Sequence, residues 1–156
     1  MRYFIGNWKM FGVPKSVNIL NKINSFYSKE KNRNKYRVVI TPPYTLIESY
    51  SRYFKNKKIS IGAQNCYQKE QFSSNTAAIS PYMLKGVGAK YTLIGHSDNR
   101  GEGDTDAMLK DKVKYAINNN LKVVFCIGEN KTEKNNKKTL SVLKKQLTKV
   151  IEKKFN

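Results

Sequence analysis

Acidic residues are scarce: 11 Asp and Glu stand against 30 Lys and Arg, a formal charge of +19 with the single histidine neutral. Cysteine is scarcer still. Cys66 and Cys126 lie far apart, with no CxxC and no Cys/His cluster, which excludes a disulfide framework and a zinc site and predicts two buried thiols. No window approaches the ~20 consecutive apolar residues that span a bilayer. The opening MRYFIGNWKMFG holds too short an apolar stretch for a signal peptide, so the expectation is a cytosolic chain without a membrane partner. Neither GxGxxG after a strand-like run nor GxxxxGK[ST] occurs, which removes the two usual nucleotide-binding arrangements. Asn130-Lys131-Thr132 fits the glycosylation pattern, but without a secretory signal it carries no meaning.

What remains is ample for a core. The length of 156 residues suits one domain, and 39% hydrophobic residues with 10 Tyr, 7 Phe and one Trp argue against disorder despite the charge. Lysine dominates over arginine and rises together with asparagine, as in Lys29 to Lys35 and Asn130 to Lys138. Nucleic-acid surfaces favour Arg for bidentate contacts. The Lys/Asn pattern reads instead as a codon bias on solvent-facing positions, which makes nucleic-acid binding the lesser reading. A positive surface still concentrates phosphorylated small molecules nearby.

Five apolar runs read as strands: Tyr3 to Asn7, Arg37 to Thr41, Ile59 to Asn65, Tyr91 to Gly95 and Val123 to Gly128. They are near-continuous rather than alternating, as for strands buried on both faces of a parallel sheet. Helical segments lie between them. Pro14-Lys15-Ser16 opens one carrying Val17, Leu20, Ile23 and Tyr27. Ser80-Pro81 opens a short one that Gly86 ends, and Thr105 or Asp106 caps one with Met108, Leu109, Val113, Ala116 and Ile117. The last places Leu140, Leu143, Leu147, Val150 and Ile151 on one stripe that asks for a sheet to pack on. The succession is a series of βα units of roughly 30 residues, which makes a parallel sheet with right-handed crossovers. An open doubly wound sheet and part of a barrel both satisfy it.

Parallel α/β proteins place chemistry at the carboxyl ends of strands. Polar clusters stand there: Gly6-Asn7-Trp8-Lys9-Met10, Gly95-His96-Ser97-Asp98-Asn99-Arg100 and Cys126-Ile127-Gly128-Glu129. Lys9 offers a compact charge for an anionic oxygen and Asn7 a neutral donor. His96 offers a ring N–H that polarises a carbonyl and shuttles a proton. Together they suit enolisation of a phosphorylated carbonyl compound. A carboxylate base for the carbon-bound proton is wanting.

Those residues carry a resemblance. Phe4 to Met10, Ile61-Gly62-Ala63-Gln64-Asn65, Ile94 to Arg100 and Cys126 to Glu129 resemble the triosephosphate isomerase family in order and at compatible spacing, over the whole chain. The resemblance implies a (β/α)8 TIM barrel of ~250 residues. It implies interconversion of dihydroxyacetone phosphate and glyceraldehyde 3-phosphate as a homodimer, with no cofactor and no metal. By the same resemblance Asn7 and Lys9 contact substrate, Lys9 stabilises enediolate charge, and His96 is the neutral electrophile. Ser97 and Asp98 support it, and Thr76 belongs to the loop that reaches into the partner subunit.

Two departures follow. Asp98 stands where the family has Glu, one methylene longer, and the family's general base and phosphate loops come after strands 6 to 8, whereas the sequence ends at Lys154-Phe155-Asn156. By the resemblance Glu129 belongs to the strand-5 motif and is not the base; Glu48, Glu70 and Glu133 read as solvated charges. The expectation is one incomplete domain over 1–156, βα units 1 to 5 without units 6 to 8, inactive alone. Its inward faces of Phe4, Val39, Ile61, Leu93 and Phe125 would stand open to water. Two other readings stay open: a half-barrel acting as an assembly partner for a second chain, and a basic nucleic-acid-associated module.

Overall fold

The structure is a computed structural model that describes residues 1–31, 33–55 and 57–152; the chain end at Lys154-Phe155-Asn156 lies outside them. Five parallel strands run in the order β1-β2-β3-β4-β5. They are β1 Arg2–Asn7, β2 Tyr36–Thr41, β3 Ile59–Ala63, β4 Tyr91–Ile94 and β5 Lys122–Phe125. Helices α1 Val17–Lys29, α2 Tyr44–Tyr53, α3 Pro81–Gly86, α4 Ser97–Gly101, α5 Asp106–Asn118, α6 Lys131–Asn135 and α7 Thr139–Val150 connect and flank them. The sheet curls into a half-barrel: Tyr3 on β1 makes an edge-to-face ring contact with Tyr91 on β4, centroids 6.4 Å apart, although two strands stand between them.

Local chemistry sets most boundaries. Ser80 caps α3 by accepting the Met83 N–H, and Thr105, rather than Asp106, caps α5 by accepting that of Met108. Asn130, the residue of the glycosylation-like triplet, closes a capping box with Glu133 at the start of α6. Helix α2 carried no start signal beyond Pro42-Pro43; its buried Leu46, Ile47 and Tyr50 form the i, i+1, i+4 pattern of one helix face. Strands β3, β4 and β5 end earlier than the apolar runs suggest. Gly95 takes φ +79, outside the extended region. Gln64 and Asn65 leave the ladder and use their amides elsewhere.

The core lies between sheet and helices, with Leu20, Ile40, Leu46, Ile47, Ile61, Ile94, Leu109 and Val113 all buried. Register corrects the expected inward faces. Phe4 pairs with Val38, and Gly6 with Ile40; Ile61 and Phe125 share that helix-facing parity. Only Val39 and Leu93 of the five named residues belong to the concave face, with Tyr3, Ile5, Ser60, Gly62 and Tyr91. The stripe on α7 is corrected too. Val150 is buried, but Leu140 is 83% exposed and Leu147 44%, because α7 lies chiefly along α5 and α6 rather than across the sheet.

Among the described residues, both outer strands lack a second neighbour. Beside β1 an apolar groove of about 640 Å³ opens between Phe4, Ile23, Phe26, Tyr27, Val38 and Ile40. Phe4 is 58% and Phe26 73% exposed there. An open edge over an apolar groove invites pairing with another copy. The 156-residue chain is expected to self-associate at low micromolar concentration, with Phe26→Glu lowering the mean mass seen by light scattering. A monodisperse monomer would refute this.

Candidate functional site

The carboxyl ends of β1, β3 and β4 surround a cleft of about 510 Å³ lined by Asn7, Lys9, Tyr44, Gln64, Asn65, His96, Asp98, Asn99 and Glu102, with Met10 and Phe11 at its rim. Asn7 ends β1, and its Oδ1 accepts the Lys9 backbone N–H at 2.9 Å. Lys9 itself has φ +50, a left-handed conformation that costs a non-glycine residue about 1 kcal/mol or more. Gln64 holds it there. Its amide donates to the Lys9 carbonyl at 2.7 Å and to the Thr41 carbonyl at 2.9 Å, joining the loop after β1 to the ends of β2 and β3.

So positioned, Lys9 Nζ lies 3.2 Å from Asp98 Oδ2, each side chain about half exposed. The pair spans the curl from β1 to the turn after β4. Aspartate therefore reaches the lysine despite being one methylene shorter than glutamate. His96 precedes α4 as its cap, and its Nδ1 accepts the Asp98 backbone N–H at 3.2 Å. Asp98 Oδ2 is also 3.5 Å from Nδ1. That longer approach is subordinate, because the carboxylate is engaged by Lys9. Nδ1 then carries the lone pair and Nε2 carries the ring N–H.

Gly95 makes this turn possible: a Cβ there would meet the Cys126 carbonyl and Arg100 Nη2, each at 3.0 Å. Arg100 Nε donates to the Gly95 carbonyl at 2.9 Å and fixes the turn from below. Ser97 is exposed and lines a second cavity, of about 780 Å³, together with His96, Cys126, Gly128 and Glu129. Glu129 accepts a hydrogen bond from Thr139 Oγ1 at 3.2 Å. Thr76 sits exposed on the loop between Ala63 and Pro81, outside the residues that line the cleft. Among the described residues no three His, Cys, Asp or Glu converge as a metal site.

Sequence reasoning passed over what lies beneath the cleft. Lys112 of α5 is buried, and its Nζ donates to both Asp104 oxygens at 2.7 Å and to Asn65 Oδ1 at 3.2 Å. Its signal was present: Leu109, Lys112, Val113 and Ala116 make one stripe with a lysine in it. Asn65 also caps its own turn, accepting the Cys66 N–H at 2.9 Å. Cys66 is buried as expected, whereas Cys126 is only partly so. Burial pushes the Cys66 thiol up to about 12, and burial also raises Cys126, opposed by the Arg100 charge.

Comparison with known proteins now decides the family. The profile described as triosephosphate isomerase matches residues 2–155. The chain belongs to the triosephosphate isomerase family. The triosephosphate isomerase of Wolbachia pipientis wMel is 38% identical over 143 residues, 91% of this chain and 55% of the relative. That of Alkaliphilus oremlandii is 36% identical over 144 residues, 91% and 56% respectively. The crystal structure of triosephosphate isomerase from Bartonella henselae superposes with a TM-score of 0.88 at 32% identity, over 97% of this chain and 62% of that one. The half-barrel is thus built as in triosephosphate isomerases, while the chain spans just over half the length of the relatives it matches.

Two outcomes follow. Lys112→Met leaves Asp104 buried and uncompensated, and should cost about 3–5 kcal/mol in denaturant unfolding; a loss below about 1 kcal/mol would show the pair to be solvated. The raised thiol of Cys66 contributes stability that is complete below its unfolded value near 9 and is lost as pH rises towards 12. Alkaline destabilisation should therefore be smaller in Cys66→Ala, and a disulfide reagent at pH 8 should label Cys126 before Cys66.

Proposed function

We propose that this cleft is the Asn7, Lys9 and His96 portion of a triose-phosphate isomerase site, and that the five βα units are units 1 to 5 of one eight-unit barrel domain. The observation that supports this most is the meeting of Lys9 and His96 through Asp98, with the His96 Nε2–H left for a ligand. In the reaction a base removes a proton from the carbon beside a carbonyl, and the electron pair moves onto the carbonyl oxygen. The Lys9 charge and the His96 Nε2–H face that developing oxyanion, so both interactions strengthen in the transition state. His96 then moves protons between the two oxygens, and the carbon proton returns to the neighbouring carbon. Asn7 serves by holding the Lys9 loop and offering an amide to substrate. Ser97 and Asp98 are supporting residues.

The base belongs to none of the carboxylates described above at the strand ends. Asp98 is taken up by Lys9, Glu102 is exposed after α4, and Glu129 is engaged by Thr139. A lost general base costs about 10²- to 10⁴-fold, so residues 1–156 alone are expected to be inactive. The proposal extends to a homodimer in which the Thr76 loop meets the partner subunit. The exposed Met10 and Phe11 beside the cleft, at 94% and 76%, are the apolar surface such a loop would cover. A cytoplasmic location accords with glycolytic chemistry, and among the described residues no helix is long and apolar enough to cross a membrane.

In a protein where these residues are completed to eight βα units, triose-phosphate interconversion should appear. Lys9→Met and His96→Gln should each lower kcat/KM by about 10²- to 10³-fold, or ~2.7–4 kcal/mol. Near-normal kcat/KM in either variant would overturn the roles assigned.

A further inference from the structure

The opposite end of the strands carries a different chemistry. Each of the five strands is entered through a cation: Arg2 at β1, Lys35 before β2, Lys58 before β3, Lys90 before β4 and Lys122 at β5. All five are exposed, and among the described residues none of them forms a salt bridge. The connections that lead into the strands add Lys29, Lys31, Lys55, Lys57 and Lys85, with Glu30 the lone acid in them. Charge at helix carboxyl ends is expected from the helix dipole and accounts for Lys29, Lys55 and Lys85. It does not account for a cation at every strand entrance. A codon bias alone would not keep acids from one rim while placing Asp98, Glu102, Asp104, Asp106 and Glu129 beyond the other ends of the strands.

The Lys122 N–H donates to the Lys90 carbonyl at 3.0 Å, so these two cations stand on neighbouring strands about 4.8 Å apart. A groove of about 520 Å³ is lined by Met1, Arg2, Asn34, Lys35 and Tyr36. A half-exposed ring stands next to the charges: Lys57 Nζ lies 3.8 Å over the Tyr53 ring. Clustered cations beside an accessible aromatic face are what sequence-tolerant recognition of single strands uses.

We propose that this rim binds the phosphate backbone of single-stranded nucleic acid, with Tyr53 as a stacking face. The cations lie at the far end of the strands from Lys9 and His96, so the proposal does not rest on the isomerase reading.

The test uses the 156-residue chain and a fluorescent oligouridylate of about 20 nucleotides, with anisotropy read across a salt series. Binding should saturate in the micromolar range near physiological salt, with a log–log salt slope of about −3.5, some −0.7 for each of five phosphates. Replacing Arg2, Lys35, Lys58, Lys90 and Lys122 together by Gln should weaken binding at least about tenfold and flatten that slope. Replacing Lys131, Lys134, Lys138, Lys144 and Lys145 by Gln removes the same charge from α6 and α7 and should change affinity less than about threefold. Circular dichroism checks that both variants fold, and the wild-type slope stands as a measure that needs neither. Equal losses in the two variants would reduce the effect to diffuse net charge and overturn the proposal. So would the absence of saturable binding, or tighter binding to vesicles containing phosphatidylserine than to the oligonucleotide.

Discussion

The close approach of β3 to β4 at Gly62 is the constraint on which the half-barrel rests. A Cβ at Gly62 would stand 2.9 Å from the Tyr91 Cβ, 3.0 Å from its carbonyl and 3.1 Å from Thr41 Cγ2. With only hydrogen there, the sheet bends at its middle strand. Tyr3 then reaches Tyr91 across the concave face, and the loops after β1 and β4 come within reach of one another. The ion pair between Lys9 and Asp98 is a consequence of that bend. In a flat five-stranded sheet the same two residues would be separated by the width of two intervening strands.

Much of this was legible in the residues. Near-continuous apolar runs gave the parallel sheet, and polar residues just past Asn7 and Ile94 gave the cleft, because strand ends on one side of a parallel sheet are the natural place for them. What was misread turned on matters of one residue. Side chains alternate across a strand, so assigning Phe4 rather than Tyr3 to the concave face reverses the whole strand. Gln64 and Asn65 looked like strand because an apolar run leads into them, yet both amides serve loops. Lys112 is hidden by the abundance of solvated lysines, although its place between Leu109 and Val113 makes it part of the buried stripe. Composition cannot reveal such a residue; its partner Asp104 lies in a loop whose path depends on the fold.

The molecule is strongly polar along the strand axis. Asp104, Asp106 and Asp98 temper the cations near the cleft, each paired with one of them. The strand entrances carry cations with scarcely an acid among them. A single net charge therefore conceals two environments, one balanced and one not, and an argument from +19 alone would treat them alike.

The strand order has a bearing on how the chain is made. Among the described residues each strand after the first pairs with the one synthesised just before it, β1 with β2 and onwards to β5. As the chain leaves the ribosome, each unit can dock on a surface already formed, and the growing sheet keeps one open edge at its advancing end. The first strand is the exception. Its outer edge pairs with none of the described strands, which makes that edge the place where a nascent chain has most need of a chaperone.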